Sequence, residues 1–385
     1  MEEARPSLGD YRLLRHLARG GMADIYLAEN AVGRVVVLKR IRSALAADPN
    51  FVQLFLREAK VAMQLDHGNV AQVFDFGEAD GSYFLAMEYV DGPNLFRILR
   101  AAEARARRIP PVLAAYIVSE VARGLDHAHQ EIPGRAGIVH RDVTPQNIVV
   151  SRAGEVKLVD FGIAKGEGLP DLTRPGVARG KYLYLAPEQI RRQRADHRVD
   201  IYAAGVVLYE LLTGRPPFAG DEVYEVLKAI AEGRYAPPLE VDPDLPEALD
   251  AVVRRAMARE PADRYGRARD LEADLVAWLR ATHPTFGAKA VSAFLEGLGC
   301  FSDVGAEAEA RGATTEERDT LEVETGGARG TPLTWTRRDL LGLSAVGAGL
   351  YAVFLLLGLW IGRPSPSVAV GAHRQGGGPA ALHAP

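Results

Sequence analysis

Residues 137–162 read Gly-Ile-Val-His-Arg-Asp-Val-Thr-Pro-Gln-Asn-Ile-Val-Val-Ser-Arg-Ala-Gly-Glu-Val-Lys-Leu-Val-Asp-Phe-Gly. His140-Arg141-Asp142, then Asn147, then Asp160-Phe161-Gly162 after a short strand, place a carboxylate, an amide and a second carboxylate on two neighbouring loops. Asp142 can accept a hydrogen bond from an attacking hydroxyl, Asn147 can bind a metal, and Asp160 can bridge that metal to phosphates. Phe161 packs, and Gly162 permits the backbone to turn. These are the parts that metal-assisted phosphoryl transfer requires.

Upstream, the pattern is that of strands. Residues 11–18, 23–29 and 34–40 are β-branched or alternating segments split by glycine-rich turns, residues 51–65 carry apolar positions at helical spacing, and 83–90 is a further apolar strand. Downstream, residues 113–129, 199–213, 222–232, 246–258 and 268–280 show apolar stripes of period 3.6, followed by a helical patch at 288–298. A small sheet lobe followed by a larger helical lobe is expected, an α+β arrangement. Leu17-Ala18-Arg19-Gly20-Gly21-Met22-Ala23-Asp24-Ile25 lies between the first two strands, where small residues let backbone N–H groups approach phosphate oxygens. Lys39 ends the apolar run Val35-Val36-Val37-Leu38, and Glu58 lies on the following helix, where an ion pair could hold the ammonium toward the α- and β-phosphates.

On these residues the chain resembles the protein kinase family, specifically the membrane-anchored, eukaryotic-like serine/threonine kinases of bacteria. The likeness covers roughly residues 10–280 and includes Ala186-Pro187-Glu188, Asp200-Ile201-Tyr202-Ala203-Ala204-Gly205 and Pro261-Ala262-Asp263-Arg264-Tyr265. It implies a bilobal kinase fold, with an N-lobe at 11–90 and a C-lobe at 91–280, that uses ATP and Mg²⁺ or Mn²⁺ on protein substrates. It also implies a buried ion pair between Glu188 and Arg264, and an Asp200 that braces the catalytic loop. In the nucleotide pocket it puts Met87 beside the adenine, the backbone of Glu88 and Val90 along its edge, Asn94 near the ribose, and Leu17, Ala18, Gly20, Gly21, Ala23 and Ile25 over the phosphates.

Several positions depart from the family pattern. Ala18 and Ala23 stand where the phosphate loop has glycines, which implies a stiffer loop. Thr144 occupies the position of the family's catalytic-loop lysine, and Lys181 that of its activation-segment threonine, so the two residue types have changed places. The expectation is that Lys181 reaches the γ-phosphate and Asp142 from the opposite loop, with Thr144 hydrogen-bonding it. Arg141, beside the catalytic Asp, resembles kinases whose activation segment is ordered by a phosphate. Thr173 is the only Ser or Thr between Asp160 and Glu188, and so the expected phosphorylation site.

The rest of the 385 residues frames this domain. A net charge of -4 and a pI near 6.2 supply no global basic field for nucleic acid. One cysteine, Cys300, excludes an intramolecular disulfide, and no Cys/His cluster has structural-zinc spacing. Residues 1–10 read as a tail without the apolar stretch of a secretory signal. A helical extension at 281–302 precedes an acidic linker at 303–337. Residues 340–362 carry no charge and as a helix would span about 34 Å, enough for a bilayer core. One transmembrane helix is therefore expected, with a Gly/Pro-rich extracytoplasmic tail at 363–385. The whole reads as a single-pass protein of the bacterial inner membrane with a cytoplasmic kinase domain, and small-residue spacings at Ala345, Gly349, Ala348 and Ala352 suit a homodimer that phosphorylates in trans. Two other classes stay open: a pseudokinase scaffold, to which the altered phosphate loop and Thr144 lend some weight, and a membrane signalling adaptor that dimerises through its helix. Retention of Lys39, Glu58, Asp142, Asn147 and Asp160 favours an enzyme.

Overall fold

A computed structural model describes residues 6–20, 23–131, 137–161, 180–220 and 222–301, apart from the side chains of Ala44, Arg57 and Glu58. All of them belong to the first of two units, Met1–Thr320. Gly21, Gly162, Thr173, the linker, the expected membrane span at 340–362 and the tail lie outside the described residues. Among the described residues no helix is long and apolar enough to cross a membrane.

The N-terminal lobe is an antiparallel sheet in the order β1-β2-β3-β4-β6-β5. Its strands are β1 (Ser7–Leu8), β2 (Tyr11–Arg19), β3 (Ala23–Glu29), β4 (Val35–Ile41), β5 (Val73–Ala79) and β6 (Ser82–Glu88), so part of the expected N-terminal tail pairs as an edge strand. Alternation along β4 divides its side chains between two cores. Val36 and Leu38 pack with Tyr11, Leu13 and Phe84 on one face, whereas Val37 and Ile41 face the helix side with Leu85 and Met87. Lys39, in the interior of β4 rather than at its end, shares the second face.

After the short α1 (Ser43–Ala46), helix α2 (Pro49–Ala62) begins where Asp48 accepts a hydrogen bond from the Asn50 N–H at 2.9 Å and Pro49 occupies the first helical position. Its buried residues Val52, Phe55, Ala59 and Ala62 recur on one face, and Phe55, Ala59 and Ala62 pack against Val73, Leu85 and Met87.

The C-terminal lobe is helical: α3 (Leu95–Ala104), α4 (Pro111–His129), α5 (Pro187–Ile190), α6 (Arg198–Thr213), α7 (Val223–Glu232), α8 (Pro238–Val241), α9 (Glu247–Ala256), α10 (Ala268–Thr282) and α11 (Ala288–Gly297). Helix α6 is buried on nearly every side, and its residues from Val199 to Tyr209 are almost all apolar, as a helix enclosed by α4, α9 and their neighbours must be. It stops at Gly214, which takes the left-handed conformation at φ 75°. A two-stranded antiparallel ribbon, β7 (Ile148–Val150) and β8 (Val156–Leu158), lies on α4 and pairs Ile148 with Leu158.

The core continues through α11, whose Val291 and Leu295 are buried with Leu298 and Cys300. Gly154, in the β7–β8 turn, has φ 84°, and an added Cβ there would fall 1.9 Å from the Ala288 carbonyl oxygen. Only glycine permits α11 to dock this closely.

A two-pronged ion pair is buried in this lobe. Arg264 donates from Nη1 and Nη2 to the two carboxylate oxygens of Glu188, each at 2.7 Å, and both side chains are essentially inaccessible. Its remaining N–H groups donate to the carbonyls of Ala258, Arg198 and Arg259. Arg264→Ala would leave the Glu188 carboxylate buried without its partner, and the expected loss is about 3–5 kcal/mol of unfolding free energy. Urea unfolding of the two proteins measures it, and a loss below roughly 1 kcal/mol would show the pair to be dispensable.

Candidate active site

The pairing of β7 with β8 assembles the site. Asn147 directly precedes β7 and Asp160 closely follows β8, so antiparallel pairing, continued by the Val159 N–H to Asn147 carbonyl bond at 2.9 Å, sets the two residues side by side. Asn147 donates from Nδ2 to the Asp142 carbonyl at 2.8 Å and to Asp142 Oδ2 at 3.0 Å. Both amide hydrogens thus point at Asp142. Lys39 reaches across from β4 to donate to Asp160 Oδ1 at 3.0 Å. Lys181 donates to Asp142 Oδ2, also at 3.0 Å.

A buried carboxylate supports this group from below. Asp200, in the first turn of α6, accepts hydrogen bonds from the His140 N–H at 2.7 Å and the Arg141 N–H at 2.8 Å, and His129 Nε2 lies 2.8 Å away. Arg141 has φ 59°, a left-handed conformation that a non-glycine residue holds only when its surroundings impose it. Burial pushes the Asp200 carboxyl up, but its hydrogen bond and charge interaction with His129 and the His140 N–H outweigh burial and hold it below the ordinary 3.8.

His140 is fully buried against the Phe161 ring, with centroids 4.4 Å apart. Its Nδ1 accepts the Asp142 N–H at 3.2 Å, and its Nε2 lies 3.2 Å from the Val159 carbonyl. That arrangement requires a neutral ring carrying its proton on Nε2, because a proton on Nδ1 would confront the Asp142 N–H.

The nucleotide-side residues fall along the junction of the lobes. Ala18 pairs with Ile25 and Ile25 with Lys39, so the register runs from the loop at Gly20 directly to the lysine. The Gly20 N–H donates to the Ala23 carbonyl at 2.9 Å, closing that loop locally. Met87 is buried and lines a small cavity with Ala62, Leu65, Val70, Asp160 and Phe161 among others. Glu88 donates its N–H to the Gln72 carbonyl at 2.8 Å, and its carboxylate pairs with Lys157 of β8 at 2.9 Å. Val90 is half-buried just beyond β6. Glu58 lies on α2, with its side chain outside the described residues.

Asn94 caps α3, accepting from the Arg97 N–H at 3.0 Å and donating to the Gln146 carbonyl at 3.3 Å. One expectation needs correction. Thr144 does not hydrogen-bond Lys181. The Thr144 side chain is buried, and its Oγ1 has no hydrogen-bond partner among the described residues. His129 and Lys157 were missed, since one is a helix-terminal histidine and the other an alternating strand residue, and neither spacing marks a site.

A two-lobed fold that gathers a carboxylate, an amide and a second carboxylate beside two lysines defines the class of phosphoryl-transfer proteins built on a sheet lobe over a helical lobe. Residues 11–276 match the protein kinase domain, and the chain belongs to the protein kinase family. It is 42% identical over 297 residues to the tyrosine-protein kinase MasK of Myxococcus xanthus, covering 75% of this chain and 46% of that protein. It is 42% identical over 266 residues to the serine/threonine-protein kinase PknE of Mycobacterium tuberculosis, covering 69% of this chain and 45% of PknE. The serine/threonine-protein kinase PrkC of Bacillus subtilis is 37% identical over 268 residues, covering 69% of this chain and 40% of PrkC. The chain thus spans less than half the length of these curated relatives. Among solved structures, the Mycobacterium tuberculosis PknI kinase domain superposes with a TM-score of 0.54 at 31% identity, covering 72% of this chain and 99% of that domain.

Membership of the family implies ATP and a divalent metal. The residues present fit that metal: the Asn147 amide oxygen and the Asp160 carboxylate are hard oxygen donors, suited to a cation that completes its shell with phosphate oxygens and water.

The neutral His140 sets a pH dependence. Burial pushes its pKa below the ordinary 6.5, so below pH 6.5 the unfolded chain binds a proton that the folded chain does not, and stability falls. One such site contributes at most about 1.4 kcal/mol per pH unit. Thermal unfolding midpoints between pH 7.5 and 5.5 should therefore decline less steeply in His140→Gln than in the parent, and equal slopes would rule the histidine out as the source.

Proposed function

We propose that the chain transfers the γ-phosphoryl group of ATP to serine or threonine hydroxyls of proteins, itself included, as a membrane-anchored signalling kinase. The observation that carries this reading is the juxtaposition of Asp142, Asn147 and Asp160 across the β7–β8 pair, with Lys39 on Asp160. In this reading Asp142 orients the substrate hydroxyl and takes its proton. The hydroxyl oxygen bonds the γ-phosphorus as the bond from that phosphorus to the β–γ bridging oxygen breaks, and ADP leaves with those electrons. Asn147 and Asp160 would hold Mg²⁺ or Mn²⁺, which supplies charge neutralisation on the phosphates. Lys39 would steady the α- and β-phosphates, and the loop from Leu17 to Ile25 would cover them. Met87 would border the adenine, with the Glu88 carbonyl and the Val90 backbone along its edge.

Serine/threonine preference is supported by the names of PknE and PrkC. A tyrosine preference is the second reading, favoured by the likeness to MasK. Arg141 and Thr173 make a regulatory pair in this proposal, a phosphate on Thr173 ordering its segment against the guanidinium. Residues 340–362 would anchor the domain to the cytoplasmic face of the bacterial inner membrane and bring two copies together for transfer in trans.

Incubating the full-length chain with labelled ATP and Mg²⁺ tests the reaction. Label is expected on protein, in acid-stable phosphoserine or phosphothreonine and including Thr173, and is expected to vanish in Asp142→Asn. Phosphotyrosine alone would select the second reading, and label that persists in Asp142→Asn would defeat both. The anchor is tested by fractionation: the full chain should sediment with membranes and resist carbonate extraction, whereas a chain ending at residue 302 should not. Recovery of the full chain in the soluble fraction would refute the anchor.

A further inference from the structure

Lys181 and the buried Thr144 line the same small cavity, of about 20 Å³, together with Asp142 and Asp200. We infer that Lys181 is a catalytic residue of this kinase, the cation that binds the γ-phosphoryl group from the activation segment's side, in place of any cation from the catalytic loop. The inference rests on the phosphoryl-transfer reading for its chemistry and on the geometry for its residue.

The geometry confines where the ammonium acts. A hydroxyl delivering its proton to Asp142 lies about 2.7 Å from that carboxylate, and the phosphorus it attacks begins about 3–3.5 Å further on. A cation bonded to Asp142 is therefore within a few ångströms of the oxygens being transferred. Lys181 Nζ is 3.0 Å from Asp142 Oδ2, the same oxygen that Asn147 contacts. Lys39, the other lysine of the site, is engaged on Asp160. Thr144, between Asp142 and Asn147 in the chain, carries no charge, and its buried Oγ1 has no hydrogen-bond partner among the described residues, so this stretch of the catalytic loop offers the phosphate no cation of its own.

Lys181 is held for the task. Gly180 turns the chain at φ 114°, a left-handed conformation open to glycine, and residues Lys181–Tyr184 follow as a 3₁₀ turn. The Tyr184 hydroxyl donates to Glu210 of α6 at 2.5 Å, and Leu185 and Ala186 are buried, so the backbone of Lys181 is tethered to the core. Its side chain keeps 34% of its surface exposed, which leaves the ammonium free to exchange Asp142 for a phosphate oxygen.

A cation on the γ-phosphoryl group distinguishes ATP from ADP, and that distinction can be read without turnover. Equilibrium binding of fluorescent ATP and ADP analogues to the full-length chain is measured for the parent, Lys181→Thr, and the exchanged double variant Thr144→Lys/Lys181→Thr. The single substitution should weaken ATP binding about 5- to 20-fold while ADP stays within about twofold. It should lower kcat about 10²-fold with little change in KM for the protein substrate. The double variant should recover most of both losses, since it returns an ammonium to the same cavity. Unchanged ATP binding in Lys181→Thr, or an equal loss for ATP and ADP, overturns the assignment, as does a double variant no better than the single. If the parent transfers no phosphate yet shows the ATP-selective loss and its recovery, the proposed reaction and the catalytic role fail, and only the assignment of Lys181 as the cation that binds the γ-phosphoryl group stands.

Discussion

The carboxylate of Asp200 is the constraint from which the rest of the site follows. It is buried at the start of a helix that is itself buried, where the positive end of the helix dipole favours a negative charge. A carboxylate in such a place must fill its lone pairs, and the groups that fill them are two consecutive backbone N–H groups, His140 and Arg141, with the His129 ring. Two adjacent N–H groups can point at one acceptor only if the chain turns sharply, which is why Arg141 is left-handed. That conformation costs a non-glycine residue about 1–2 kcal/mol, and charge-assisted hydrogen bonds of roughly 1.5–3 kcal/mol each offset it. The turn then presents Asp142, whose N–H is taken by His140 and whose carbonyl and carboxylate orient Asn147. Everything downstream inherits its position from this turn, through β7 and β8 to Asp160.

Much of this was legible in the sequence because it is local. The order Asp142, Asn147, Asp160 carries its own spacing, and the apolar periods of β2, β3, α4, α6 and α10 marked those elements within a few residues. What escaped was set by tertiary partners. Strand β5 reads Val-Phe-Asp-Phe-Gly-Glu-Ala, with an acid, a glycine and a second acid interrupting the alternation, and it is a strand because β6 pairs with it. Helix α3 is fixed by its cap, since the Asn94 side chain accepts the Arg97 N–H that opens it. The exchange of lysine and threonine between residues 144 and 181 was visible as letters. That the Thr144 hydroxyl has no partner among the described residues and that Lys181 bonds Asp142 are facts of packing, since threonine is short enough to be enclosed where a lysine would have to reach out.

Helix α11 extends the same reasoning past the family's boundary. The kinase match ends at residue 276, yet the core runs on to Cys300, and the docking surface for α11 is the β7–β8 turn. Ser292 donates to the Arg152 carbonyl at 2.6 Å, while Arg152 donates to the Phe301 carbonyl at 3.1 Å and pairs with Asp91 just beyond β6. The ribbon whose ends carry Asn147 and Asp160 is thus clamped at its turn by a segment outside the matched domain. A cut at residue 280 would expose the apolar face that Val291 and Leu295 cover and leave the ribbon's turn unsupported.

Ion pairs in this chain operate in two regimes, and exposure separates them. Glu188 and Arg264 are dry and fully satisfied, so breaking that pair strands a charge and costs several kcal/mol. Lys39–Asp160 and Lys181–Asp142 have the same type of partners at 3.0 Å, but all but one of their side chains keep a quarter to a third of their surface in solvent and the fourth, Asp142, keeps a tenth. Water screens such pairs to about 0–1 kcal/mol, so either lysine can leave its carboxylate at small cost. A site that must release carboxylate oxygens to a metal and ammonium groups to phosphates needs that looseness. The fold obtains it by placing rigid pairs beneath the catalytic turn and labile ones at the junction of the lobes, where the nucleotide can take the place of each partner.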